Sequence, residues 1–303
     1  MKLSILDQAP VLENETAEQA LKEAIKLAQM GDALGYHRYW LTEHHNFINL
    51  ASSSPEVLLA AIGAKTKRIR IGSGATLLPH YKPYKIAETF NTLAALFPNR
   101  VDLGLGRAPG GSAEATMALS EQFLLEVYKF PEKVKELKHF IHQTFPQEHQ
   151  YSSVLPIPIP QQKPEVWILG TSQKSAILAA EMGMAYAFGQ FMSDQSGVEI
   201  LSRYREEWKV RYGNMKISQT NITVNVICAK TTDKAKEMIS TLSEDMKENM
   251  TQQKTIVGDP HVVQEELEEL KEKYQTEEIM INTPARSYEE RLLSLQLIAD
   301  KLL

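Results

Sequence analysis

A (β/α)8 barrel, the TIM-barrel class of α/β fold, is what this chain of 303 residues predicts. Three observations carry the prediction. Short β-rich apolar runs recur eight times, each is followed by a stretch with helical spacing, and no G-x-G-x-x-G stands at the turn after the first strand. An open dinucleotide-binding sheet would carry that fingerprint there. The nearest glycine pattern, Gly104-Leu105-Gly106-Arg107-Ala108-Pro109-Gly110, follows the fourth strand and has Pro109 in its sixth place.

In chain order the strands read Lys2–Leu6, Tyr36–Leu41, Ile69–Ala75, Arg100–Gly106, Glu165–Gly170, Ala185–Phe188, Asn221–Ala229 and Glu278–Ile281. The helices between them read Thr16–Leu34, Ser54–Thr66, Pro83–Phe97, Glu121–Phe145, Gln173–Met182, Asp194–Arg211, Asp233–Lys247 with His261–Tyr274, and Tyr288–Leu302. Boundary signals support this register: Ser54-Pro55 reads as an N-cap with proline at N1, Gly35 as a C′ residue, and Asp259-Pro260 as a helix start. The Pro-rich piece Leu155–Pro160 is too short to separate domains and reads as an extended connection on the outside of the barrel. One domain over 1–303 is therefore expected, because α/β barrels run to this length as one unit.

Composition narrows the function. Lys+Arg 33 against Asp+Glu 38 gives a net charge of −5, which offers nucleic acid or anionic lipid no basic surface. With 43% hydrophobic and 23% charged residues, the chain is of ordinary globular composition. No run approaches the ~18 apolar residues of a membrane span, and Asp7 interrupts any signal-like core, so a cytoplasmic protein is expected. The one cysteine, Cys228, lies in the apolar run Val224–Ala229 and reads as a buried strand thiol. The acidic run Gln264–Lys273 reads as a solvated helix face.

A barrel of this class keeps its chemistry where strands end at the C-terminal face, and that filter selects four places. After the second strand, Thr42-Glu43-His44-His45-Asn46 crowds an acid, two imidazoles and an amide. Adjacent residues of an extended chain point to opposite sides, so the two histidines do not suit one metal ion. Instead one imidazole can face the mouth as a general acid or base while Glu43 or packing holds the other; two satisfied loop histidines is the plain alternative. After the third strand, Gly72-Ser73-Gly74-Ala75 offers small residues against which a ring can lie. The fourth strand ends in Arg107, placed for a bidentate phosphate contact or for a rim salt bridge. The fifth ends in Gly170-Thr171-Ser172-Gln173-Lys174-Ser175, where free amides, hydroxyls and the positive end of a helix converge as at an anion site, or as at an ordinary N-cap. His139 and His142 read as a surface helix face, and Trp40, Tyr81 and Tyr84 as packing residues.

The stretches Tyr39–Asn46, Ile69–Gly74, Asn99–Arg107 and Ile168–Ser172, each at a successive strand end, resemble the bacterial luciferase-like flavin monooxygenases, and the resemblance spans nearly the whole chain. It is nearest to the compact single-gene members rather than to the light-emitting heterodimer. The resemblance implies a barrel that takes up reduced FMN from a separate flavin reductase. O2 would add at flavin C4a to give a peroxide that oxidises a small organic substrate, and the protein would orient the flavin and exclude water. Carried over residue by residue, His44 matches the catalytic histidine, and Arg107, Gly170, Thr171, Ser172 and Ser175 match positions around the flavin phosphate. The family's non-proline cis peptide would fall at Gly74-Ala75. A homodimer is implied, with Ser54–Thr66 and Pro83–Phe97 as interface faces.

Three departures stand out. Gly106 occupies the place of a reactive cysteine in the light-emitting subunit, so light emission does not carry over. The long loop after that subunit's seventh strand is not matched here. Near the end of the sixth strand, where close relatives have a histidine, this chain has Gln190, which cannot transfer a proton. The expected function is thus an FMN-dependent monooxygenase, with no metal, nucleic-acid or membrane partner. A deazaflavin-dependent dehydrogenase, a non-catalytic flavin-binding protein and a barrel acting on a phosphorylated metabolite are the rivals.

Overall fold

The computed structural model describes residues 1–240, 242 and 255–303. Its strands are β1 (Lys2–Asp7), β2 (Arg38–Leu41), β3 (Arg70–Leu77), β4 (Val101–Gly106), β5 (Glu165–Gly170), β6 (Ala185–Gly189), β7 (Thr220–Cys228), β8 (Thr255–Gly258) and β9 (Glu278–Asn282). The helices are α1 (Ala17–Leu34), α2 (Pro55–Lys65), α3 (Pro83–Leu96), α4 (Ala113–Leu119), α5 (Phe123–Tyr128), α6 (Phe130–His142), α7 (Gln173–Met182), α8 (Gly197–Tyr212), α9 (Thr232–Ser240), α10 (Pro260–Tyr274) and α11 (Tyr288–Leu302). Each of β1 to β6 pairs in parallel with the next, β6 pairs with β7, β7 with β9 and β9 with β1, which closes an eight-stranded parallel barrel.

All eight strands expected from the sequence are barrel strands. The ninth, β8, was not expected. It lies outside the closed ring, pairing only with the far end of β7, where Asn225 faces Thr255 and Cys228 faces Gly258. Four residues are too few to show a period of two against their surroundings. Two helix expectations are corrected. The stretch Glu121–Phe145 is not one helix but α5 and α6, broken ahead of Pro131, whose missing N–H and ring fit a helix start and not an interior. Ser54 makes no side-chain cap, because its backbone leaves the extended region at ψ 74°, and Pro55 alone marks the start of α2. By contrast Thr16 and Gln19 form a reciprocal capping box, and Asp259 accepts from the amides of His261 and Val262. Residues 241 and 243–247 of the helix expected over Asp233–Lys247 lie outside the described residues.

Strand alternation sorts the side chains into two layers. Leu3, Ile5, Tyr39, Leu41, Ile71, Leu103, Ile168, Tyr186, Ile279 and Ile281 pack outward against the helices. Leu6, Trp40, Trp167, Ala187 and Met280 fill the barrel interior, with the two indole rings edge to face at 5.3 Å. Beneath them, at the N-terminal ends of the strands, Arg38 bonds Asp102 at 2.7 Å and Glu278 at 2.9 Å, while the Trp40 indole donates to Asp102 at 3.0 Å. The bottom of the barrel is closed by charge and aromatic packing. Its top is lined by small residues of β3, β4 and β6, at the end where barrels of this class keep their chemistry.

Candidate active site

The turn after β2 is held from three sides. Glu43, only 3% exposed, accepts from the Leu77 amide at 3.0 Å, from the Tyr81 hydroxyl at 2.7 Å and from His45 Nε2 at 2.9 Å. The backbone of His45 donates to the Gly110 carbonyl at 2.7 Å, which lays the β4–α4 loop on this turn. Gly110 must be glycine: its φ is +69°, and a Cβ there would stand 2.1 Å from Leu77 Cδ1. His44 is fixed through its backbone, which donates to the Ser52 carbonyl at 2.9 Å, while the Ser52 hydroxyl donates back to the Thr42 carbonyl at 2.5 Å.

The two histidines therefore differ. His45 is bound to Glu43. The imidazole of His44 meets the Phe47 ring edge to face at 5.7 Å, and its buried Nδ1 has no hydrogen-bond partner among the described residues. Burial, helped by the neighbouring His45 and opposed by Glu43, holds the His44 pKa below its ordinary value. A neutral imidazole with a free nitrogen results, suited to accept or hold a proton near neutral pH.

The remaining expected site residues fall on three adjacent strands. Gly74-Ala75 forms a non-proline cis peptide in β3, at a register shift between Ser73 and Thr76. A Cβ at Gly74 would meet Leu6 Cδ1 at 2.9 Å, and one at Gly106 would meet Ala75 Cβ at 3.1 Å, so neighbouring side chains pack closely on both glycines. Leu105 pairs with Ile168 across β4 and β5, which sets Arg107 and Gly170, each two residues on, at one level of neighbouring strands. Arg107 is exposed and makes no ion pair among the described residues.

At the β5–α7 turn Ser172 is the N-cap and accepts from the Ser175 amide, leaving the amides of Gln173 and Lys174 in the open first turn. Ser175 faces back under the turn. Its hydroxyl donates to the Ser172 carbonyl at 2.7 Å and lies 3.0 Å from the Tyr186 hydroxyl, and a Cβ on Gly170 would stand 2.3 Å from it. Gly170 and Ser175 thus shape the turn, while Thr171 and the two free amides present it.

Sequence reasoning missed Tyr81 and Ser52 as partners of this loop, since neither carries a motif; Ser52 closes the loop on itself, and Tyr81 reaches it through the pairing of β2 with β3. Asn282, the last residue of β9, and Asn225, opposite it in β7, were also missed; they bond each other at 2.8 Å across the pair. Among the described residues no cluster of His, Cys, Asp and Glu suits a metal ion, and no helix is long and apolar enough to cross a membrane.

A closed parallel barrel with an unpartnered imidazole, small residues and an open helix N-terminus at one mouth has the architecture of the (β/α)8 class. Comparison with known proteins gives its family. The family model for luciferase-like monooxygenases matches residues 1–287. The N-acetyl-S-alkylcysteine monooxygenase of Bacillus subtilis is 37% identical over 331 positions, covering 100% of this chain and 98% of that protein. The solved structure of apo-MsnO8 superposes with a TM-score of 0.88 at 29% identity, covering 99% of this chain and 97% of that one. The oxygenating constituent of a Pseudomonas putida 3,6-diketocamphane monooxygenase, in complex with FMN, shares the fold with a TM-score of 0.74 at 20% identity, covering 100% and 98%. The chain belongs to the luciferase-like monooxygenase family, and its activity class is that family's monooxygenation.

Proposed function

We propose that the protein binds FMN in its reduced form, received from a separate reductase, and uses O2 to oxidise a small organic substrate. The observation that carries this reading is the placement of Arg107 beside the Gly170–Ser172 turn, with the small-residue floor and His44 on the strands that follow round the same mouth. Arg107 and the free amides of α7 would hold the flavin phosphate, a fork and a helix end both made for that anion. Gly74, Ala75 and Gly106 put backbone and small side chains at this part of the mouth, a surface against which the ring face can lie. When bound, reduced flavin supplies the activation of O2 that no side chain can perform.

His44 then holds or moves a proton at Nδ1, and its lowered pKa keeps it neutral for that task. Glu43 and His45 keep the loop in place rather than act on substrate. The relative that acts on N-acetyl-S-alkylcysteine makes thioethers the first substrates to screen, followed by aldehydes. We further read the whole chain as one barrel domain of the cytoplasm, where a buried free thiol such as Cys228 stays reduced.

Anaerobic titration with reduced FMN, followed by air while absorbance is recorded, tests the reading. Saturable binding and reoxidation through a transient spectrum, distinct from free flavin, is the expected result. If reduced FMN does not bind, the assignment fails, and a deazaflavin or a phosphorylated metabolite becomes the ligand to try.

A further inference from the structure

Gln190 follows β6 directly, in the 3-10 turn Gln190–Met192. In an eight-stranded ring β6 lies four strands from β2, so Gln190 and His44 stand on opposite sides of the mouth. The turn is fixed there. Phe191 packs on the interior cluster of Leu6, Trp40, Trp167, Ala187 and Met280, and the Ser193 amide donates to the Gln190 carbonyl at 3.3 Å. Gly189 adjoins the anion-binding turn, since a Cβ on it would lie 3.7 Å from Thr171 Cγ2. Yet Gln190 Oε1 is buried without a hydrogen-bond partner among the described residues. A buried amide oxygen left unpaired costs free energy unless something meets it.

The chemistry of the amide narrows what that is. Gln offers an acceptor and two donors side by side. The pyrimidine edge of an isoalloxazine offers the complement, an N3–H between two carbonyl oxygens, whereas its dimethylbenzene edge offers neither. The Asn225 and Asn282 amides near the same rim are bonded to each other, and an imidazole lacks the acceptor and paired donors that an amide holds side by side. We infer that Gln190 reads the pyrimidine edge of the bound flavin, its Oε1 accepting from N3–H and its Nε2 donating to an adjacent carbonyl. The role rests on the flavin reading above. It makes Gln190 a cofactor-recognition residue in place of a proton donor.

Anaerobic titration of the protein's intrinsic fluorescence with reduced FMN and with reduced N3-methyl-FMN tests it, in the wild type and in Gln190→Leu and Gln190→Met. The wild type should bind FMN about tenfold tighter than the methylated analogue, the worth of one buried hydrogen bond. Both variants should bind the two flavins alike, with thermal melts matching the wild type. Equal binding of the two flavins by the wild type overturns the inference, whatever the variants do, and so does full discrimination retained in a folded variant. No saturable binding of either flavin overturns the flavin reading together with it, whereas binding without discrimination overturns this inference alone.

Discussion

The His44 imidazole lies below its ordinary pKa because burial disfavours its charged form and His45 adds to the effect. The sign of the pH dependence follows. If the neutral form is the active one, activity is present above the folded pKa and lost as pH falls through it, so the acid limb of kcat/KM belongs below the ordinary histidine value of about 6.5. Replacing His44 with Ala should lower kcat by roughly 10²–10⁴-fold while the FMN dissociation constant changes little. Steady-state rates and flavin titration of the same preparation separate the two effects. An acid limb above 6.5 would take the titrating role from His44, and equal losses in kcat and flavin affinity would assign His44 to flavin binding instead. The position of His44 and Arg107 at the strand ends was legible because the eight strands themselves were. Tyr81 was not, because its bond to Glu43 joins positions 38 residues apart through the pairing of β2 with β3.

Between elements, the charge that matters most to the fold is Asp102 at the bottom of β4. Burial would raise its carboxyl, but Arg38 and Arg70 outweigh that and hold it below the usual carboxylate range. Its carboxylate also accepts from Trp40, so one side chain ties β4 to β2 and β3 beneath the interior cluster. Removing one partner from a buried ion pair leaves the other charged and unsolvated, so Asp102→Asn should cost about 3–5 kcal/mol in a chemical unfolding titration. Flavin affinity should be unchanged, because this layer lies at the far end of the barrel from the mouth. A variant of wild-type stability would show that Glu165 and Glu278 suffice to neutralise both arginines. Periodicity gave strand positions well, since β strands buried on both faces read as apolar runs. It gave the α5–α6 break and β8 poorly, for the helical period runs on through Pro131 and a four-residue strand has almost no period to read.

At the scale of the whole molecule, what the barrel leaves uncovered bears on the mouth. Ile48 is 98% exposed, Val57 68% and Leu96 61%. Ile48 belongs to the loop that carries His44, Val57 to the first turn of α2 and Leu96 to the end of α3, which packs beside α2. Large apolar side chains on adjacent elements are costly to leave in water, and a second copy of the same face covers them with the fewest additional requirements. A homodimer through α2, α3 and the β2–α2 loop is therefore the expected assembly, with a solution mass twice the 34.2 kDa of the chain. Val57→Asp places a charge in that face and should halve the mass without unfolding the barrel, because the Val57 side chain takes no part in its core. Since the β2–α2 loop runs from His44 to the face itself, the monomer should keep its affinity for FMN but turn over more slowly. Light scattering on the wild type decides the matter first: a monomeric mass at micromolar concentration would remove the dimer and leave Ile48 and its neighbours to be covered by substrate or by another protein.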